Sequence, residues 1–102
     1  MATRTPIAVT RAMEELGESL ATWRRLRELT TAEAADRAGI GVKTLQRLEH
    51  GQGATLESML RVARALGMLD QITAAADPLS SDVGRLRAAE KLPTRVRRKE
   101  PR

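Results

Sequence analysis

The stretch Thr30 to Gly51, TTAEAADRAGIGVKTLQRLEHG, decides how the rest of the chain is read. Thr30-Thr31-Ala32-Glu33 has the Ser/Thr-x-x-Glu form of a capping box. In that motif the threonine hydroxyl accepts from the Glu33 amide, and the Glu33 carboxylate accepts from the Thr30 amide. The pattern predicts a helix from Thr31 that ends at Gly39, because glycine takes the left-handed conformation of a helix C-terminus without strain. Ile40 then lies in a turn between Gly39 and Gly41. A second helix is expected from Val42 to about Glu49, with Leu45 and Leu48 inward and Gly51 as its stop. Two short helices across a glycine-containing turn describe a helix-turn-helix or an ordinary αα-corner, and spacing alone leaves the two readings level.

The flanking residues separate them. Trp23-Arg24-Arg25-Leu26-Arg27 precedes the stretch, Ala35 and Ala38-Gly39 lie near the end of the first short helix, and Leu48-Glu49-His50-Gly51 closes the second. A following amphipathic segment ends in Ala65-Leu66-Gly67. In this order the residues resemble the XRE family, the lambda-repressor-like DNA-binding domains, over roughly residues 10 to 76. The resemblance implies an all-α, five-helix fold whose second motif helix enters the major groove. It also implies that Arg24 pairs with Glu49, tying helix one to the end of the reading helix. Two positions depart from the family pattern. Ala34 stands where leucine is more usual, leaving space for a neighbour such as Trp23. Gly41 stands where a Ser or Thr cap is usual, and glycine is an N-cap only a few tenths of a kcal/mol weaker.

Composition points the same way. Hydrophobic residues make up 41% of the 102 residues, yet Trp23 is the one aromatic, so the core must be aliphatic. With no run of alternating β-branched residues, the expected fold class is all-α. The absence of cysteine excludes disulfides and thiolate metal sites, and His50 alone is a poor start for any other metal centre. We expect His50 at the end of the reading helix, where a cation meets the negative end of the dipole. No apolar run approaches the 18 or so residues of a membrane span, and the N-terminus lacks a signal-peptide core, so the expected compartment is the cytoplasm. No nucleophile sits beside a base and no cofactor fingerprint occurs, so neither enzyme activity nor a cofactor is expected. Gly51-Gln52-Gly53 lacks the strand, lysine and serine of a phosphate-binding loop.

Taken in order, residues 1–9 are expected as a flexible arm and 10–77 as the domain, with its helix-turn-helix at 31–49. Met13, Leu16, Leu20, Trp23 and Leu26 form the inward stripe of a first helix from Thr10 to about Glu28. Gly17 lies within it, at a close approach of another chain or at the join of a separate N-terminal turn. Thr55 caps a fourth helix, Leu56 to Leu66, with Leu56, Met59, Leu60, Ala63 and Leu66 inward, and Leu69 to Ala76 forms a fifth. Residues 78–93 are expected as a helical extension capped by Ser80 or Ser81 and holding Val83, Leu86 and Ala89 on a face that packs on something. Residues 94–102 form a basic tail, expected to be disordered.

The resemblance and the outward positions together give the expected site. With Leu45 and Leu48 inward, Val42, Lys43, Thr44, Gln46 and Arg47 face out. Lys43 and Arg47 lie one turn apart, and the arginine fork fits the O6 and N7 acceptors of guanine. Val42 and Thr44 suit a thymine methyl, and Thr31 at the start of its helix suits a phosphate. The expected function is a sequence-specific DNA-binding regulator, a repressor acting as a homodimer on a palindrome, built through Leu69–Ala76 and the 82–91 helix. Asp77-Pro78-Leu79 and Gly84-Arg85-Leu86-Arg87 with the basic tail also look like HipB-type antitoxins, which bind a HipA-type kinase toxin. The alternative is an interaction module of the same fold that no longer reads DNA. Charge favours that alternative, because residues 1–78 carry ten basic and ten acidic residues.

The whole net charge of +5 therefore lies beyond residue 78, with Arg95, Arg97, Arg98, Lys99 and Arg102 in the tail. Cutting the chain after Pro93 should weaken binding to all duplexes about equally. It should also lower the slope of log affinity against log salt by about 0.9 for each phosphate that the tail had neutralised. A titration at several salt concentrations measures this. An unchanged slope would assign the tail to a protein partner instead.

Overall fold

The computed structural model describes residues 4–91. These residues form an all-helical fold with no strand among them. The helices are α1 (Ile7–Leu26), α2 (Thr31–Ala38), α3 (Val42–Glu49), α4 (Leu56–Ala65) and α5 (Leu69–Ala76). A 3-10 turn (Pro78–Ser80) and α6 (Asp82–Lys91) follow. The basic tail 94–102 and its expected disorder lie outside the described residues.

The chain separates into two compact units, one up to Leu69 and one from Asp70 onward. Helix α5 buries none of its residues.

Local chemistry sets the helix ends. The capping box at α2 is complete, with the Glu33 amide donating to Thr30 Oγ1 at 3.0 Å and the Thr30 amide donating to Glu33 Oε1 at 2.9 Å. The Thr30 backbone amide, then its hydroxyl, holds the Glu33 carboxyl below its usual range. Helices α1 to α4 all end in one motif, two crossed backbone bonds around a left-handed residue. In α1 the Leu29 amide donates to the Arg24 carbonyl at 3.1 Å and the Glu28 amide to Arg25 at 2.9 Å. The left-handed residue is glycine after α2, α3 and α4, but after α1 it is Glu28 at φ 58°. Helix α1 thus ends at Leu26.

The core of the first unit is aliphatic, with Leu20, Leu45, Val62 and Leu66 fully buried. Ala34, Ala35 and Ala38 line the inner face of α2 and let α3 and α4 approach it closely. Trp23 is half-buried against this cluster.

Several expected positions are corrected. Residues 7–9, assigned to the arm, belong to α1, because the Pro6 carbonyl accepts from the amides of Val9 and Thr10 and starts the helix there. Leu16 and Leu26, expected inward, are exposed. The buried side of α1 is Gly17, Leu20 and Ala21, the side that meets α3. Leu56 is 69% exposed, and Val62 takes the buried place on α4, the helix that packs most extensively on α2. In the second unit the Ser81 hydroxyl accepts from the Gly84 amide at 3.0 Å and caps α6, while Val83, Leu86 and Ala89 face solvent.

Gly17 explains how α1 meets α3. A Cβ there would collide with the backbone carbonyl oxygens of Leu48 and Glu49, so α3 ends directly against the α1 backbone. Helix propensity alone favours alanine over glycine by about 1 kcal/mol. Forcing a methyl into this contact costs about 1–3 kcal/mol. Gly17→Ala should therefore lower the melting temperature, read by circular dichroism. A rise would show that α1 and α3 are free to separate.

Candidate nucleic-acid interface

Helix α3 starts at Gly41, whose φ of −75° and ψ of 156° are extended and whose carbonyl accepts from the Leu45 amide at 3.1 Å. Burial of Leu45 and Leu48 fixes the rotation of the helix about its axis. That rotation leaves Val42, Lys43, Gln46 and Arg47 exposed and Thr44 half-buried. These five expected residues share α3. Thr31 is the sixth; it stands on α2, half-buried, as the first residue after the Thr30 cap.

Two of the five have backbone engagements. Arg47 Nη2 donates to the Gln52 carbonyl at 3.3 Å, which ties its guanidinium to the loop after α3. The Gln46 carbonyl lies 2.8 Å from His50 Nδ1, so His50 caps the end of α3 as expected.

The loop from Gly51 to Thr55 contributes residues that the sequence reading did not include. Thr44 and Arg47 share an open cleft with Gly53, Ala54, Thr55 and Ser58. Thr55 Oγ1 accepts from the Ser58 amide at 3.0 Å and caps α4. The N-terminus of α4 therefore opens beside the outward face of α3. Free amides and the positive end of a helix dipole suit a phosphate at such a place. The signal was present in the sequence as a threonine cap after Gly-x-Gly, but nothing local linked it to Arg47.

A side-chain clamp holds α3 in place. Arg24 Nε meets Glu49 Oε2 at 2.7 Å, Nη2 meets Oε1 at 3.2 Å, and Nη1 donates to the Leu29 carbonyl at 3.0 Å. The two side chains are only 13% and 9% exposed. One guanidinium thus joins α1 to the end of α3, as the resemblance implied, and also holds the α1–α2 turn.

Among the described residues no group of three or more His, Cys, Asp or Glu could hold a metal, and no helix is long and apolar enough to cross a membrane. Two helices joined by a left-handed glycine turn, the second with a cationic outward face and clamped at its end, form the geometry of a DNA-reading motif. A family model described as helix-turn-helix matches residues 20–70, half of the chain. The chain belongs to the XRE-type helix-turn-helix family. No curated protein and no solved structure matches it. The helix-turn-helix match covers the end of α1, both motif helices, α4 and the start of α5. It places the chain among DNA-binding transcription regulators, a regulatory rather than an enzymatic class.

Glu49→Ala tests the clamp. Removing the carboxylate leaves a mostly buried guanidinium with only the Leu29 carbonyl, which should destabilise the fold by about 3 kcal/mol. Urea denaturation measures the loss. Unchanged stability with abolished DNA binding would make the pair a functional contact rather than a structural one.

Proposed function

We propose that this chain is a repressor that binds a palindromic operator as a homodimer and reads it with the outward face of α3. One observation carries the reading: Lys43 and Arg47 stand one turn apart on the exposed side of a helix whose inner side and end are both fixed. Arg47 takes a guanine through its fork, and Lys43 reaches a neighbouring base or phosphate. Gln46 suits adenine N6 and N7, and Val42 and Thr44 suit a thymine methyl. Thr31 and the capped N-terminus of α4 hold the backbone in register.

A dimer follows from the small number of base pairs one helix can read. Two copies on a two-fold site put their reading helices about 34 Å apart, one turn of the duplex. Occupancy of such a site where it overlaps a promoter represses without any further contact. The cytoplasm is the proposed compartment.

The antitoxin role belongs to this proposal as its outer layer. It rests on the likeness of residues 77–87 to HipB-type antitoxins, and the family match stops before that segment, at residue 70. A HipA-type kinase toxin is the partner that likeness names. The second reading, an interaction module that no longer reads DNA, draws on the balanced charge of residues 1–78 and on the Ala34 and Gly41 departures from the family pattern.

The experiment selects a binding site from random duplexes and then compares wild type with Arg47→Ala on that site and on random DNA. The variant should lose about 1–3 kcal/mol on the selected site and relax one base position. Equal loss on both duplexes would make Arg47 a phosphate contact. Failure of the wild type to select any sequence would favour the interaction module.

A further inference from the structure

A second cleft opens on the other side of the loop that borders the reading face. Met13 and Leu16 of α1 line it, as do Leu56 and Met59 of α4, with the buried Leu48 of α3 at its base. Its volume is about 330 Å³. Benzene occupies an apolar cavity of about 150 Å³, and ligand pockets begin at about 300 Å³.

The lining sets the class of ligand. None of the described residues that form it is charged, and Thr55 supplies its one hydroxyl. That hydroxyl donates to Ser58 Oγ and accepts from the Ser58 amide, both at 3.0 Å. A charged ligand would lose its water here without gaining a partner, whereas a neutral apolar one leaves water favourably. Met13 and Met59 make the walls adaptable, because an unbranched thioether repacks around guests of different shape. A Cβ on Gly53 would meet only the Met13 methyl, at 3.9 Å, so a single flexible side chain reaches the loop there.

The loop couples this cleft to the reading face. Gly53, Ala54 and Thr55 line it and also line the open cleft that holds Thr44 and Arg47, so one thickness of chain separates the two. At Gly51 the loop already rests on α1, where a Cβ would lie 2.7 Å from Glu14 Cα. A guest that widens the apolar cleft therefore drives residues 53–55 toward Arg47. The same movement disturbs the Gln52 carbonyl that holds the Arg47 guanidinium.

We propose that this cleft is an effector site for a neutral, apolar small molecule, of one or two rings or an aliphatic chain of similar bulk, whose binding opposes DNA binding. The ligand site stands independently of the DNA role, and the opposition rests on the reading role proposed above. Coupling of this kind is reciprocal, so DNA should expel the molecule as strongly as the molecule expels DNA.

Naphthalene is the probe, titrated to its solubility limit into the full chain carrying 13C-methyl methionine. Its ring current should shift the Met13 and Met59 methyls and leave Met68, which lies outside the lining, in place. Naphthoate, of the same shape but charged, should shift neither. Leu16→Gln changes a 39% exposed position, so helical circular dichroism should match wild type while naphthalene affinity falls about tenfold. Met13→Gln, with Met59 as reporter, should weaken naphthalene likewise and serves if Leu16→Gln fails to fold. On the duplex selected from random DNA, naphthalene should weaken binding by about fivefold or more, and Leu16→Gln should remove that effect. Unmoved Met13 and Met59 methyls would overturn the site. So would methyl shifts that follow protein concentration without naphthalene, since a second copy would then cover the cleft. Equal shifts with naphthoate would overturn the neutral class. Shifted methyls with unchanged DNA affinity would overturn the opposition and leave the site standing. A chain that selects no duplex would overturn the reading role and the opposition with it, while the methyl shifts still decide the site.

Discussion

The geometry of the reading helix depends on one junction, where the end of α3 rests on α1. Gly17 removes the side chain that would hold the two backbones apart, and Arg24 closes the junction with both oxygens of Glu49. Neither part suffices alone. Close backbone approach without the clamp would let α3 swing about its end. The clamp without Gly17 would have to span a wider gap than a bidentate pair at 2.7 and 3.2 Å permits. Arg24 also holds the Leu29 carbonyl, so the turn before α2 is tied to the same point. A reading helix must present its side chains to base edges within fractions of an ångström, and this junction supplies that constraint from the protein side.

The rest of the first unit is built to keep α3 from rotating. Small residues on α2 bring the helices together, and Leu45 and Leu48 enter the space so created. Because the core is aliphatic, it offers no buried hydroxyl or indole to fix register by hydrogen bonding. Register comes instead from the helix ends, where α1 to α4 each close with the same pair of backbone bonds. The left-handed Glu28 is the exception in kind, since a side chain stands where the other three ends have glycine. It sits in the turn fastened by Arg24, and the clamp holds that turn in a conformation the residue itself disfavours.

How much of this was legible in the sequence follows from the range of each interaction. The span from Thr31 to Glu49 was read to the residue, because Thr30, Glu33, Gly39, Gly41 and Gly51 act on their own helices. The inward stripes were less legible. Leu16, Leu26 and Leu56 fit a periodic pattern, yet which side of a helix is buried depends on what packs there, and Val62 took the place that Leu56 was expected to hold. Gly17 was read as a close approach of another chain or the join of a turn, but its partner is α3 of the same chain, about thirty residues on and beyond any local rule. The start of α1 at Ile7 was missed for the opposite reason, since the Pro6 carbonyl nucleates a turn that needs no apolar side chain buried. At the candidate site the exposure of Val42, Lys43, Gln46 and Arg47 on α3 was legible, while Thr44, expected to face out, is half-buried. The cleft that joins Thr44 and Arg47 to Thr55 and Ser58 was not legible, because it is made by the α3–α4 loop folding back.

Charge distribution carries the argument one step further. Most DNA-binding domains gain non-specific affinity from a basic surface, which lets them slide along the duplex but also holds them at wrong sites. In this chain residues 1–78 have no net charge, so the reading domain attracts a random duplex only through the few cations placed on it. On the proposed reading its selectivity comes from base contacts on α3, and its overall affinity is added by a second copy on a palindrome and by the basic residues beyond 78. Since the ratio of specific to non-specific binding sets performance in a genome, keeping these two sources apart has a physical consequence. A dimer would raise affinity only where two half-sites have the right spacing, whereas a tail on phosphate would raise it everywhere. Under that proposal a neutral reading domain places discrimination on α3 and on symmetry, and leaves to the tail the task of finding DNA at all.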